Sequence, residues 1–194
     1  MFNRKEFIEE SLNESAATKK LMLEKNFEEI NEAADVLIGV VKTGRKIMFI
    51  GNGGSAADSQ HLATEFVIRL SHDLDRPSIP AIALTTDTSM LTAGGNDIGF
   101  ENVFARNIEG LGNEGDALIC ISTSGNSPNI LKAVEKAKEK KIITIGFLGK
   151  DGGKLINVCD YSVLIPSDNT QRIQEGHITA GHIICEIVER ELYS

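Results

Sequence analysis

The sequence predicts an α/β protein: a three-layer αβα sandwich on a five-stranded parallel sheet, preceded by N-terminal helices. Three observations lead there. Five strand-length apolar runs, KIMFI at 46–50, AIAL at 81–84, ALICI at 117–121, IITIGF at 142–147 and YSVLI at 161–165, lack strict polar alternation, as strands covered on both faces do. Helical stretches separate them, and right-handed crossovers turn that alternation into a parallel sheet. At 194 residues, 41% hydrophobic and 25% charged, the chain has the size and make-up of one ordered domain, 1–194.

The first forty residues read as helix. Ile30, Ala34, Leu37 and Val41 recur at helical spacing after Phe27, and the stretch before them, with Phe7, Ile8, Leu12, Leu21 and Leu23, is helix-like too. After Gly44 the strands begin, with helices expected at 56–70, 99–110, 128–139 and 152–158. A last helix follows Asp168, with Ile173, Ile183, Ile184, Ile187, Val188 and Leu192 as its apolar positions. Gly176 and Gly181 weaken that helix by about 1 kcal/mol each relative to Ala, which calls for a reason such as close approach to a neighbouring helix or ligand.

Charge excludes some functions. The net charge is −8 with pI near 5.1, and no Lys/Arg stripe is present, so a nucleic-acid backbone is repelled. A small anion is still accommodated, because loop amides and hydroxyls act at short range. The opening MFNRKEFIEESLNES has no apolar stretch of the secretion-signal kind and no later run is long enough for a membrane helix, which leads us to expect a cytoplasmic protein. Cys120, Cys159 and Cys185 are odd in number, widely spaced and set among apolar residues, as reduced packing thiols are. The charged stretches along 7–10 and 24–32 read as solvated helix faces, and His72 as a loop residue.

Two loops follow strands and enter helices: Gly51-Asn52-Gly53-Gly54-Ser55 after the first, and Ser122-Thr123-Ser124-Gly125-Asn126-Ser127 after the third. In a parallel sheet ligands bind beyond the carboxyl ends of the strands, so a site is expected between these loops. In the second, Ser122, Thr123, Ser124 and Ser127 offer four hydroxyls at a helix start, with Ser127 as N-cap and Pro128 at the first helical position; this suits a phosphate monoester. The first loop also fits the loose dinucleotide pattern G-x-G-x-x-A. The acidic residue that fingerprint wants about twenty positions on is missing, Asp87 coming considerably later.

His61 and Glu65 stand at i and i+4 on the helix opened by the first loop and share a face. On the last helix Gln174 and His182 lie eight apart, about 80° around the axis, near enough to converge; His177 points well away from His182. Two imidazoles, a carboxylate and an amide oxygen make a four-ligand set for a borderline metal such as zinc if the helices meet. Asp97, after Gly94-Gly95-Asn96, reads equally as a turn residue.

Taken together, GNGGS at 51–55, H-x-x-x-E at 61–65, GND at 95–97, STSGNS at 122–127 and RIQE followed by His182 resemble the sedoheptulose 7-phosphate (phosphoheptose) isomerases. These are a branch of the sugar isomerase (SIS) domain proteins, and the resemblance runs over nearly the whole chain. It implies an SIS-type, flavodoxin-like sheet, aldose–ketose isomerisation of sedoheptulose 7-phosphate to D-glycero-D-manno-heptose 7-phosphate, and a homotetramer with shared active sites and oligomer packing through 1–43. It also implies zinc on His61, Glu65, Gln174 and His182, with Glu65 and His182 as the catalytic pair. Asn52, Gly53, Gly54, Ser55, Glu65, Asn96, Asp97, Ser122, Thr123, Ser124, Ser127 and Gln174 match substrate-binding positions. The rival expectation is a non-catalytic SIS protein that binds sugar phosphate or a protein partner; in such relatives the Glu or the last-helix His is expected to be lost, and both are present here.

Overall fold

The computed structural model describes residues 2–194. Two helices lead: α1 (Arg4–Lys25) and α2 (Phe27–Lys42). There follow β1 (Ile47–Gly51), α3 (Gly54–Val67), β2 (Ala81–Ala83), α4 (Thr88–Asp97), α5 (Val103–Leu111), β3 (Ala117–Ser122), α6 (Pro128–Glu139), β4 (Ile143–Gly149), β5 (Tyr161–Ile165) and α7 (Thr170–Tyr193). The five strands form one sheet in the order β2-β1-β3-β4-β5, every pair parallel. Chain order therefore reverses at β1, and the crevice between the ends of β1 and β3 is the switch point at which such sheets take ligands.

The central strands β1, β3 and β4 are covered on both faces, as the unbroken apolar runs require, while the edge strands β2 and β5 leave Ile82 and Tyr161 exposed. On one face α2, α3 and α7 bury Leu37, Phe49, Leu62, Phe66, Ile119, Ile173 and Ile184. On the other α5 and α6 bury Met48, Ile50, Phe104, Ile108, Leu118, Ile130 and Val134. Cys120 and Cys185 lie in these cores and Cys159 is half-buried beside the second.

The glycines of α7 have the reason the sequence asked for. A Cβ on Gly181 would stand 2.6 Å from a methyl of Leu62 on α3, and one on Gly176 would stand 2.6 Å from Ile165 of β5. The lost helix propensity is the cost of bringing α7 down onto α3 and the sheet.

Two expectations are corrected. Over 152–158 only a 3₁₀ turn forms, Leu155–Asn157. Conversely α4 was not anticipated, because it buries none of its residues and so carries no apolar period to read; Asp87 caps it by accepting from the Met90 N–H at 2.9 Å. Asn96 and Asp97 accordingly stand in the last turn of a helix rather than in a turn. α1 is also mostly uncovered: Thr18 and Met22 alone are buried, while Phe7, Ile8, Leu12 and Leu23 face outward. Among the described residues no helix is long and apolar enough to cross a membrane.

Candidate active site

β1 and β3 are neighbours, with Gly51 opposite Ile121, so the loops that follow them stand side by side. They are tied by a reciprocal amide pair. The Asn52 carboxamide donates to Asn129 Oδ1 at 2.9 Å and accepts from Asn129 Nδ2 at 2.8 Å. Asn129 is buried in the first turn of α6, and its Oδ1 also accepts the Ile130 N–H. The sequence reading missed it; an amide two residues past the hydroxyl loop was its only signal.

In the second loop Ser122 Oγ accepts the Gly125 N–H at 3.1 Å and lies 3.4 Å from Ser127 Oγ, while Ser124 Oγ accepts the Asn126 N–H. Ser127 is the N-cap residue of α6 and Pro128 opens the helix, as expected. The expected side-chain cap bond is not made, because the Ser127 hydroxyl is turned toward Ser122. Hydroxyls thus gather over an uncapped helix start, whose dipole favours an anion. Thr123 is half-buried in the same turn.

The first loop opens α3 through Gly53, at φ +57°, again with no side-chain cap. Asn52, Gly53 and Gly54 line the surface, whereas Ser55 is buried beneath them, its carbonyl accepting the Ser59 hydroxyl. Gln174 reaches this loop from α7: its carboxamide occupies the space a Cβ on Gly54 would take. Only glycine there admits it.

Two turns along α3, His61 and Glu65 meet His182. His61 Nε2 is 2.8 Å from His182 Nε2 and 3.4 Å from Glu65 Oε1. One ligand atom from each residue falls within 4.8 Å of the others. His61 is half exposed and Glu65 mostly covered, which leaves the cluster open on one side. Tetrahedral zinc with Zn–N and Zn–O bonds of about 2.1 Å spaces its ligand atoms about 3.4 Å apart. The His61–Glu65 distance already matches, and the histidines need to part by about half an ångström. The donor set fits a borderline cation.

Asp58, one turn before His61, was also missed. Burial raises its carboxyl above the ordinary value, and the nearby His61 and His182 pull it back down. D-x-x-H-x-x-x-E is the longer pattern that would have flagged it. His177 is turned away from the cluster as its helical angle predicted, wholly buried against Phe147 and bonded through Nε2 to the Leu148 carbonyl at 2.9 Å. Burial lowers its pKa to about 4 despite that bond. Asn96 and Asp97 bond to each other at 2.7 Å at the exposed end of α4 and make no hydrogen bond to either loop.

The arrangement sets a hydroxyl-lined loop at a helix start near a cluster of one carboxylate and two imidazoles whose ligand atoms could hold a metal ion. Comparison with known proteins agrees. The SIS domain family matches residues 11–149. A phosphoheptose isomerase of Clostridium acetobutylicum is 52% identical over 191 residues, covering 97% of this chain and 96% of that protein. Among solved structures, a phosphoheptose isomerase from Neisseria gonorrhoeae superposes with a TM-score of 0.91 at 38% identity, over 97% of this chain and 100% of that one. One from Francisella tularensis gives 0.93 at 35%, with the same coverage.

Proposed function

The chain belongs to the phosphoheptose isomerase family of SIS-domain proteins and is a sugar-phosphate isomerase, and we propose that it converts D-sedoheptulose 7-phosphate to D-glycero-D-manno-heptose 7-phosphate, supplying bacterial heptose for surface glycans. The observation that carries this reading is the meeting of His61 and Glu65 of α3 with His182 of α7, where His61 Nε2 lies 2.8 Å from His182 Nε2 and 3.4 Å from Glu65 Oε1, on the helix that starts at the sheet's switch point.

The phosphate is assigned to the Ser122, Thr123, Ser124 and Ser127 hydroxyls above α6. Asn52, Gly53, Gly54 and Gln174 are assigned to the sugar hydroxyls, with Asn96 and Asp97 as further contacts. Moving the carbonyl from C2 to C1 requires a proton to leave C1, an enediolate to form, and a proton to arrive at C2. Glu65 carries that proton between the carbons, and His182 serves as acid and base on the oxygens. His61, Glu65, Gln174 and His182 would hold zinc, which when bound polarises the carbonyl and offsets the enediolate's charge. The dipole of the uncapped α6 start favours the anionic end of the substrate.

The same reading makes the protein a cytoplasmic homotetramer with shared sites. The outward Phe7, Ile8, Leu12 and Leu23 of α1, together with Phe27 and Ile183, are apolar surface of the kind a second copy covers. Incubating the full chain with sedoheptulose 7-phosphate, with product detection and metal analysis on one sample, tests the proposal. Isomerisation with about one zinc per chain is expected. Full zinc loading without product would point instead to a non-catalytic sugar-phosphate binder.

A further inference from the structure

Beyond the residues that face the site lies a buried ion pair, Arg76 with Glu189, both side chains essentially without solvent access. Arg76 stands in the segment between α3 and β2, and Glu189 in the last turns of α7. The guanidinium Nε donates to Glu189 Oε1 at 2.7 Å and Nη2 bonds the same oxygen. Glu189 also accepts the Leu70 and Ser71 N–H groups at 3.0 and 3.2 Å. The remaining arms of Arg76 reach backbone: Nη1 donates to the Pro77 carbonyl at 2.9 Å, and Nη2 donates to the Glu65 carbonyl at 2.8 Å.

That last bond singles out the pair. Glu65 is in the final turn of α3, where carbonyls lose their partner four residues on, and Arg76 takes the place of that partner at the residue whose carboxylate lies in the cluster. The next carbonyl, that of Phe66, is taken by the Ile79 N–H, so the whole 68–80 segment folds back over the end of α3. On α7, Glu189 follows His182 by seven residues, within about 20° of the same face. Cys185 lies between them, its thiol pushed up by burial and by the neighbouring Glu65 and Glu189 carboxylates. One guanidinium therefore spans the two helices along the faces that carry Glu65 and His182.

We infer that Arg76 and Glu189 form a buried clamp that sets the spacing of α3 and α7, making them positioning residues for the His61/Glu65/His182 cluster. The inference rests on the reading of that cluster as a zinc-holding isomerase site. A buried charge pair is poor at adding stability, since desolvation cancels most of its attraction, and an apolar pair of similar volume commonly leaves a fold as stable or more so. What apolar side chains do not supply is a directed donor to the Glu65 carbonyl.

The test separates those roles. The Arg76→Met/Glu189→Leu double variant and the Arg76→Lys single variant are compared with the parent chain by thermal unfolding, by zinc titration against a competing chelator, and by kcat and KM with sedoheptulose 7-phosphate. The double variant is expected to melt near the parent yet bind zinc about 10- to 100-fold more weakly, with kcat lowered and KM little changed. Arg76→Lys keeps the charge but lacks the fork that serves Glu189 and the Glu65 carbonyl together, and should fall between. If either variant, once folded, matches the parent in zinc affinity and kcat, the clamp is structural only and the inference fails. A parent chain that neither binds zinc nor isomerises the sugar would overturn the reading of the cluster itself, and the clamp's role with it.

Discussion

The seam between α3 and α7 and the hydroxyl loop after β3 are built in opposite ways. The loop is contiguous in sequence: Ser122 to Ser127 are six consecutive residues whose mutual bonds and the start of α6 shape the cradle, with the Leu155 and Lys154 N–H groups bracing it at the Gly125 carbonyl and Asn126 Oδ1. The seam joins His61 to His182, 121 residues apart, and depends on Gly181 admitting Leu62, on the clamp of Arg76 and Glu189, and on α7 being seated on the sheet. In the function proposed above, such a site divides its labour: the contiguous part is assigned the phosphate, and the tertiary part the groups that move protons.

Substitutions should expose that division. The largest effect is expected at the seam: Glu65→Gln, which keeps shape and removes the base, should lower kcat about 10²- to 10⁴-fold with KM nearly unchanged. Near-normal turnover in steady-state kinetics would remove Glu65 as the proton carrier.

Next comes the seat of α7. His177 is neutral when folded, with its pKa lowered to about 4. In the unfolded chain it takes a proton below about pH 6.5, so as pH falls from there to about 4 the unfolded state binds the extra proton and stability drops, by about 3 kcal/mol over the window. Denaturant unfolding across that range should show the slope, and His177→Leu should flatten it relative to the parent. Equal slopes would mean that the buried imidazole does not govern the seat.

The smallest effect belongs to the loop. Ser122→Ala removes one of several hydroxyls around the phosphate and should raise KM about tenfold while kcat stays within a factor of about two. A kcat loss as large as that of Glu65→Gln would erase the distinction between the two regions.

Much was legible beforehand because it is periodic or contiguous. The five apolar runs became the five strands to within two residues at either end; β1, β3 and β4 are buried on both faces as such runs require, whereas the edge strands β2 and β5 leave Ile82 and Tyr161 exposed. The two loops were found because strand, glycine turn and helix follow one another directly. α4 was not found, since a helix that buries nothing leaves no pattern. The helix expected at 152–158 shrank to a turn because Gly152 and Gly153 hold positive φ, outside the right-handed helical region, and leave room only for Leu155–Asn157.

By itself the sequence determined the parallel α/β class, the hydroxyl cradle, and the sharing of one helix face by His61 and Glu65. Tertiary structure decided that His182 closes on that face, that Gln174 fills the place beside Gly54, and that Asn129, Asp58 and Arg76 belong to the story. The reason is range. Helical angle and strand alternation relate residues a few positions apart, whereas the meeting of α3 and α7 depends on how closely two helices pack, and that is set by side chains such as Leu62 and a missing Cβ at Gly181 that no local period reveals.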